Sequence, residues 1–444
     1  MQDIGFIYNE VTNWLSSFPS EFVEDETLGM DKKIFSETVK EFTDRLKDNY
    51  PFYHPLYIGQ MLKPPARGAI MAYLAAMAIN PNNHALDGGP ATARMEKEVI
   101  DEFASMFGFK EYLGHLTTSG TIANFEALLI ARETHPDGSI AFSEDAHYTH
   151  SRVCNWLRVP AMQILSDQYG KMDLNNLESN LKKGLIKTVV ATLSTTSLGA
   201  NDNLEEILKL KEKYGFRLHI DSAYGGYFKL ISEEYPTLRA YNLIKYADSI
   251  TFDPHKQGLQ PYGCGCVIFS DPKVGKYYKH DSPYTYFTSE ELHLGEISVE
   301  CSRAGAAAAA LWFTNKIYPL EKNRGLGAIL SKTIEITQKL KEKISSSNKF
   351  KIYIEPETNI LTYFPIKSST SEISDLSTRI LKDGIAKNSL WVATLKVSSG
   401  KFRDNHPDIT IDSNEVIILR SCIIKPFQEI WIDEIMEKLI DLSV

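Results

Sequence analysis

The chain has 444 residues, 43% of them apolar and 24% charged, with 48 Lys and Arg against 57 Asp and Glu for a formal charge of −9. That length suits two or three lobes rather than one small core. The acidic balance excludes the clustered basic surface of a nucleic-acid binder and docking on anionic lipid.

The first residues, MQDIGFIYNEV, carry neither a basic stretch nor a long apolar one, so no signal peptide is expected. Residues 1 to about 60 are rich in aromatic and acidic side chains, with helical periodicity in MDKKIFSETVKEFTDRLKDNY. They read as an N-terminal helical arm. The longest apolar runs, around Ala69–Ile79 and Ala304–Phe313, fall short of the roughly 20 residues of a membrane span and read as buried helices. From about 90 to 270 helical and strand-like stretches alternate. The helix ATARMEKEVIDEFASMF leads to the glycine turn TTSGT and the helix IANFEALLIARE. Strand-like GSIAFSE, AMQIL, KTVVATLS, FRLHIDSA, SITFDPHK and GCGCVIFS follow, with helices between several of them. This alternation predicts βαβ units and a mostly parallel sheet in an α/β domain spanning residues 61–320. Beyond about 320 the texture changes. The helix LGAILSKTIEITQKLKEKI precedes strand-like KIYIEP, NILTYFP and EVIILRSCII, and the helix EIWIDEIMEKLIDL closes the chain. That predicts a smaller α+β domain over 321–444.

Five scattered cysteines, Cys154, Cys264, Cys266, Cys301 and Cys422, fit reduced thiols in the cytoplasm. Cys264 and Cys266 would share a strand face, but no His or second Cys pair completes a site, so no metal is expected.

In an α/β sheet ligands gather beyond the carboxyl ends of the strands, and four segments fall at such positions. Thr117-Thr118-Ser119-Gly120-Thr121 precedes a helix, where small residues let backbone N–H groups approach a phosphate; an ordinary N-cap is the plainer reading. Asp221 ends a strand and can pair with a buried cation, or simply start a turn. Lys256, in Asp253-Pro254-His255-Lys256, is a usable amine nucleophile if its pKa is lowered, or a loop lysine reaching solvent. Glu144 to His150 offers imidazoles for ring stacking or proton transfer, or for capping.

The order and spacing of these segments resemble one pattern. Residues 50 to 320 resemble the group II pyridoxal 5′-phosphate (PLP)-dependent amino acid decarboxylases, in TTSGTIAN, SEDAHYTHS, ATLSTTSLGAND, HIDSAYGG, DPHK and ECSRAG. The most specific of these is DPHK, about 35 residues after HIDSAYGG. The resemblance implies PLP fold type I, with a mostly parallel seven-stranded sheet. It implies decarboxylation of an L-amino acid in a homodimer whose active sites lie at the interface. Lys256 would carry PLP as a Schiff base, Asp221 would bond the pyridine nitrogen, and His147 would stack on the ring opposite Ala223. Gly120 and Thr121 would cradle the phosphate, Asp253 and His255 would flank it, Thr196 would lie near the cofactor hydroxyl, and Ser302 would reach across the dimer. A tyrosine, Tyr284 or Tyr286 in HDSPYTYFTSEELHLGE, or else His147, would protonate the carbanion. Gln60, Asn82, His84 and Arg420 would contact substrate, although a structural ion pair suits Arg420 equally. Two features depart from the family pattern. Ser119-Gly120 stands where many relatives have two glycines, and Lys-Gln-Gly replaces the Lys-Trp of aromatic decarboxylases, so aromatic specificity does not carry over. Aminotransferases, carbon–carbon lyases and a silent PLP-binding protein share the scaffold, since fold does not fix reaction.

Overall fold

The computed structural model describes residues 2–17, 25–278 and 293–444. Two helices open the chain, α1 (Gln2–Leu15) and α2 (Lys32–Leu46). Asp31 starts α2 by accepting the N–H groups of Lys33 and Ile34, the usual role of an aspartate at that position. No residue of α2 is buried, although Ile34, Phe35, Val39 and Phe42 punctuate it.

Helices α3 (Arg67–Met77) and α4 (Pro90–Phe107) lead into the large sheet. Its elements are β1 (Leu113–Thr117), α5 (Gly120–Thr134), β2 (Ser139–Ser143), α6 (Thr149–Leu157), β3 (Ala161–Ile164), α7 (Leu174–Leu181), β4 (Ile186–Thr192), α8 (Leu204–Tyr214), β5 (Arg217–Asp221), β6 (Ser249–Phe252) and β7 (Gly265–Phe269). The strands lie in the order β1-β7-β6-β5-β4-β2-β3. Strand β7 runs antiparallel to both neighbours, while β6, β5, β4, β2 and β3 pair in parallel. This is the expected mostly parallel seven-stranded sheet. Six of its strands coincide with apolar runs expected from the sequence. The seventh, β1, is LGHLT, too poor in β-branched residues to announce itself.

The central strands are buried along their length, which explains their continuous rather than alternating apolar character. Phe103 and Phe107 of α4 meet Phe252 edge-on at centroid distances of 4.8 and 5.0 Å. Helix α9 (Gly305–Ile317), the GAAAAALWF run, packs on α3 and α4, its small side chains permitting close approach. No helix among the described residues is long and apolar enough to cross a membrane.

A buried polar knot fastens α4 to the sheet and to the segment before α9. Arg303 Nη1 donates to Glu96 Oε1 and to the Leu116 carbonyl, both at 2.6 Å, and Asn83 Nδ2 donates to Glu96 Oε2 at 2.6 Å. Glu96 is 1% exposed and Arg303 7%. Breaking a buried pair leaves the remaining charge uncompensated. Arg303→Ala is therefore expected to cost about 3–5 kcal/mol of stability, read as a fall in the urea midpoint. An unchanged midpoint would mean that Glu96 finds another cation.

After α10 (Gly325–Ser346) the chain builds β8 (Phe350–Ile354), β9 (Ile360–Pro365), α11 (Thr370–Ala386), β10 (Ala393–Ser398), α12 (Ser399–Asn405), β11 (Glu415–Cys422) and α13 (Ile432–Leu442). These strands form an antiparallel sheet ordered β10-β11-β9-β8, the smaller α+β unit expected. Neither β10 nor the serine-rich α11 stood out from the sequence. Residues 56–58 join this unit: Ile58 N–H donates to the Trp391 carbonyl, Trp391 N–H to Leu56 and Cys422 N–H to Ile58. Leu56, Tyr57 and Ile58 are buried in its core.

Candidate active site

The carboxyl ends of β4, β5 and β6 and the start of α5 enclose a cavity of about 250 Å³. Gly120, Thr121, His147, Thr196, Asp221, Ala223, Asp253, His255 and Lys256 all line it. Segments spread from Gly120 to Lys256 thus converge because parallel strands deliver their C-terminal loops to one edge.

Asp221 ends β5 and is 4% exposed. Its Oδ1 accepts the N–H of Ala223 at 3.0 Å, and its Oδ2 lies 2.8 Å from His150 Nε2. Burial by itself would raise this carboxyl, but the His150 hydrogen bond and the Ala223 N–H outweigh it and hold Asp221 well below the usual carboxylate range. Two residues earlier on the same strand, His219 bonds Asn124 Oδ1 through Nε2 at 2.8 Å and Ser249 Oγ through Nδ1 at 2.9 Å. Burial pushes that imidazole down to about 3, so it stands neutral beside Asp221.

Lys256 follows β6. Its Nζ lies 3.1 Å from Asp253 Oδ2, with the side chain 24% exposed toward the cavity mouth while Asp253 is 3% exposed. His255 Nε2 is 3.5 Å from the same oxygen. Asp253 Oδ1 and His255 Nδ1 are buried without a hydrogen-bond partner among the described residues. A Cβ added at Gly120 would come within 2.6 and 2.7 Å of the Asp253 carboxylate oxygens. The absence of a side chain there keeps the start of α5 open. Ser119 caps that helix by accepting the Ile122 N–H at 3.3 Å. Helix geometry leaves the N–H groups of Gly120 and Thr121 without intrahelical acceptors, a ready anion cradle.

His147 forms another wall. Thr149 N–H donates to His147 Nδ1 at 3.2 Å, and Thr149 Oγ lies 2.8 Å from the same nitrogen. With Nδ1 accepting, the neutral ring carries its proton on Nε2. Burial lowers the pKa of this imidazole, with Asp221 opposing and Lys256 reinforcing. Ser194, also on the wall, holds a left-handed φ of 71°, a conformation that non-glycine residues adopt at a cost and that clusters at functional sites.

The remaining expected residues lie elsewhere. Arg420, on β11, spends its guanidinium on backbone carbonyls: Nη2 on Thr196 at 2.6 Å, Nε on Ser197 at 3.0 Å and Nη1 on Gly59 at 3.4 Å. It ties the small unit to the cavity wall, is not among the residues that line the cavity, and makes no ion pair among the described residues. Gln60 is exposed and also outside the cavity. Asn82 Nδ2 donates to Ser302 Oγ at 3.1 Å, and its Oδ1 accepts the N–H groups of His84 and Arg303. That makes Asn82, His84 and Ser302 one cluster apart from the cavity, with Ser302 exposed. Tyr284 and Tyr286 lie outside the described residues. Among the described residues no group of His, Cys, Asp and Glu is arranged to hold a metal.

Residues not singled out from the sequence also matter. Thr149 fixes the His147 tautomer, Asn124 pins His219, and His150 bonds Asp221. His147 lies just before α6 and His150 on its first turn, so their spacing alone did not separate their roles. Which of them met β5 depended on the packing of α6.

Chemically, the cavity offers an amine, an ionised acid beside neutral imidazoles, and N–H groups with a helix dipole at one end. These residues fit a planar aldehyde cofactor with a basic ring nitrogen and a phosphate.

Comparison with known proteins agrees. Residues 54–366 match the pyridoxal-dependent decarboxylase conserved domain. The chain is 28% identical over 409 residues to an L-tyrosine decarboxylase of Enterococcus faecium, covering 69% of this chain and 67% of that protein. It is 30% identical over 315 residues to a probable L-tyrosine/L-aspartate decarboxylase of Methanosphaera stadtmanae, covering 69% and 77%. In fold it resembles mouse CSAD, with a TM-score of 0.82 at 18% identity over 98% of this chain and 91% of that one. The Oryza sativa TDC solved with PLP and tryptamine superposes with a TM-score of 0.79 at 16% identity, covering 98% and 92%. The chain belongs to the pyridoxal-dependent decarboxylase family, and its reaction is the PLP-dependent decarboxylation of an amino acid.

Proposed function

We propose that this cavity is where that reaction takes place, with Lys256 as the residue that holds the cofactor covalently. One observation carries the assignment: the amine of Lys256 and the ionised carboxylate of Asp221 meet in one cavity with the open N-terminus of α5. Bound there, PLP supplies an electron sink for the pair released when the bond between Cα and the carboxylate breaks. Asp221 holds a proton on the ring nitrogen, because a carboxylate kept ionised favours a cation beside it. Gly120 and Thr121 take the phosphate on their N–H groups. His147 and Ala223 bracket the ring, and the Nε2–H of His147 faces the site as a proton source for Cα. Asp253 pairs with the Lys256 ammonium and balances its charge whenever that amine is free of the cofactor.

The protein acts as a homodimer. The apolar residues of α2, exposed in the single chain, support a covering copy, and Ser302, exposed away from its own cavity, suits reach into the partner's. The five unpaired cysteines suit a reducing compartment, the cytoplasm. Substrate choice is tested by CO₂ release from a panel of amino acids headed by tyrosine, aspartate, glutamate and 2,4-diaminobutyrate. CO₂ from at least one of these is expected. Transfer of the amino group to a keto acid without CO₂ would overturn the assignment.

A further inference from the structure

His150 is fully buried on the first turn of α6, packed 5.8 Å from Phe142, and it is the side chain that bonds Asp221. The carboxylate is gripped on both oxygens, by Ala223 N–H on Oδ1 and His150 Nε2 on Oδ2. The second imidazole beside it, His219, is committed on both nitrogens to Asn124 and Ser249.

The direction of the bond between His150 and Asp221 follows from the geometry of the ring. Nδ1 is buried with no hydrogen-bond partner among the described residues. A lone pair on Nε2 would face those of Asp221 Oδ2 at 2.8 Å, so Nε2 is the nitrogen that carries a hydrogen. The Nε2–H is therefore donated to Asp221.

We propose that His150 is a positioning residue for Asp221: its Nε2–H fixes the carboxylate in the orientation that meets the cofactor's ring nitrogen. It touches neither the substrate nor the reacting atoms. The inference rests on the assignment of Asp221 to that nitrogen.

The test uses the full-length protein stripped of cofactor and titrated with PLP at pH 7.5, followed by absorbance, with borohydride trapping on Lys256 as the control. Wild type is expected to bind and trap. His150→Leu, which removes the donor, is expected to bind PLP roughly 10-fold or more weakly, the scale of a lost hydrogen bond to a charged group. It should also shift the absorbance band of the bound cofactor. His150→Gln, whose amide N–H can take the place of Nε2–H, is expected to stay within about 3-fold of wild type. A merely structural histidine would not be rescued in this way. If wild type traps on Lys256 and His150→Leu binds equally well, the inference fails while the cofactor assignment stands. If His150→Gln is as weak as His150→Leu, the inference also fails. If wild type does not trap on Lys256, the assignment itself fails and takes this inference with it. Should His150→Leu not fold, ¹⁵N-histidine NMR of the wild-type apoprotein decides: a His150 ring carrying a proton on Nε2 supports the proposal, and one protonated on Nδ1 alone overturns it.

Discussion

Lys256→Ala is expected to abolish both the borohydride-trapped adduct and CO₂ release, with kcat falling at least about 10³-fold, as when a covalent nucleophile is removed from its supporting residues. Lys256 Nζ is the amine that reaches the cavity from the end of β6, and Asp253 holds it there at 3.1 Å. Truncation removes the covalent attachment but leaves Asp221, His147 and the start of α5 in place. The variant should still bind PLP, loosely and without the absorbance band of a lysine adduct. Fold should persist, because Lys256 is partly exposed and packs no core. A variant that keeps its adduct would place the attachment elsewhere.

Asp221→Asn is expected to separate attachment from catalysis. Asparagine preserves the shape and can still accept from His150 Nε2, but it carries no charge. The ring nitrogen then loses the partner that keeps it protonated, and the electron sink weakens. The adduct on Lys256 should survive while kcat falls on the order of 10²–10³-fold, the scale seen when a preorganised electrostatic group is removed. Peptide mapping after borohydride reduction measures the first quantity, and CO₂ release the second. Loss of both together would show that Asp221 only holds the fold. Because Asp221 is held below the ordinary carboxylate range, its charge persists as pH falls through 4. The acid limb of the wild-type rate profile should therefore report another group.

Much of the site was legible because its residues sit in short consecutive motifs at strand ends. Asp221 closes an apolar run, and so does the Asp253–Lys256 segment. A run of buried residues followed by a polar one is visible in the sequence without knowing the fold. Roles set by packing between distant segments were not legible in this way. Arg420 invites a carboxylate, yet the register of β11 brings its guanidinium to the carbonyls of Thr196, Ser197 and Gly59, more than 200 residues away. His150 stands three residues from His147 with the same side chain, and only the seating of α6 against β5 sends one to the cavity and the other behind Asp221. Strand β1 escaped notice because its burial comes from β7 and α4 rather than from its own composition. Asn82 and Ser302 are 220 residues apart, and they meet through the bridge between Asn82 and Ala304.

One rival to Lys256 is built into the same region. Lys63 lies 3.3 Å from Gln257 Oε1, and burial brings its amine down to about 7, which makes it nucleophilic near neutrality. Reducing the PLP-loaded wild-type enzyme with borohydride, digesting it and locating the phosphopyridoxyl group by mass spectrometry tells the two lysines apart. The label is expected on the peptide containing Lys256 and on no other. A label on Lys63, or none at all, would contradict the account.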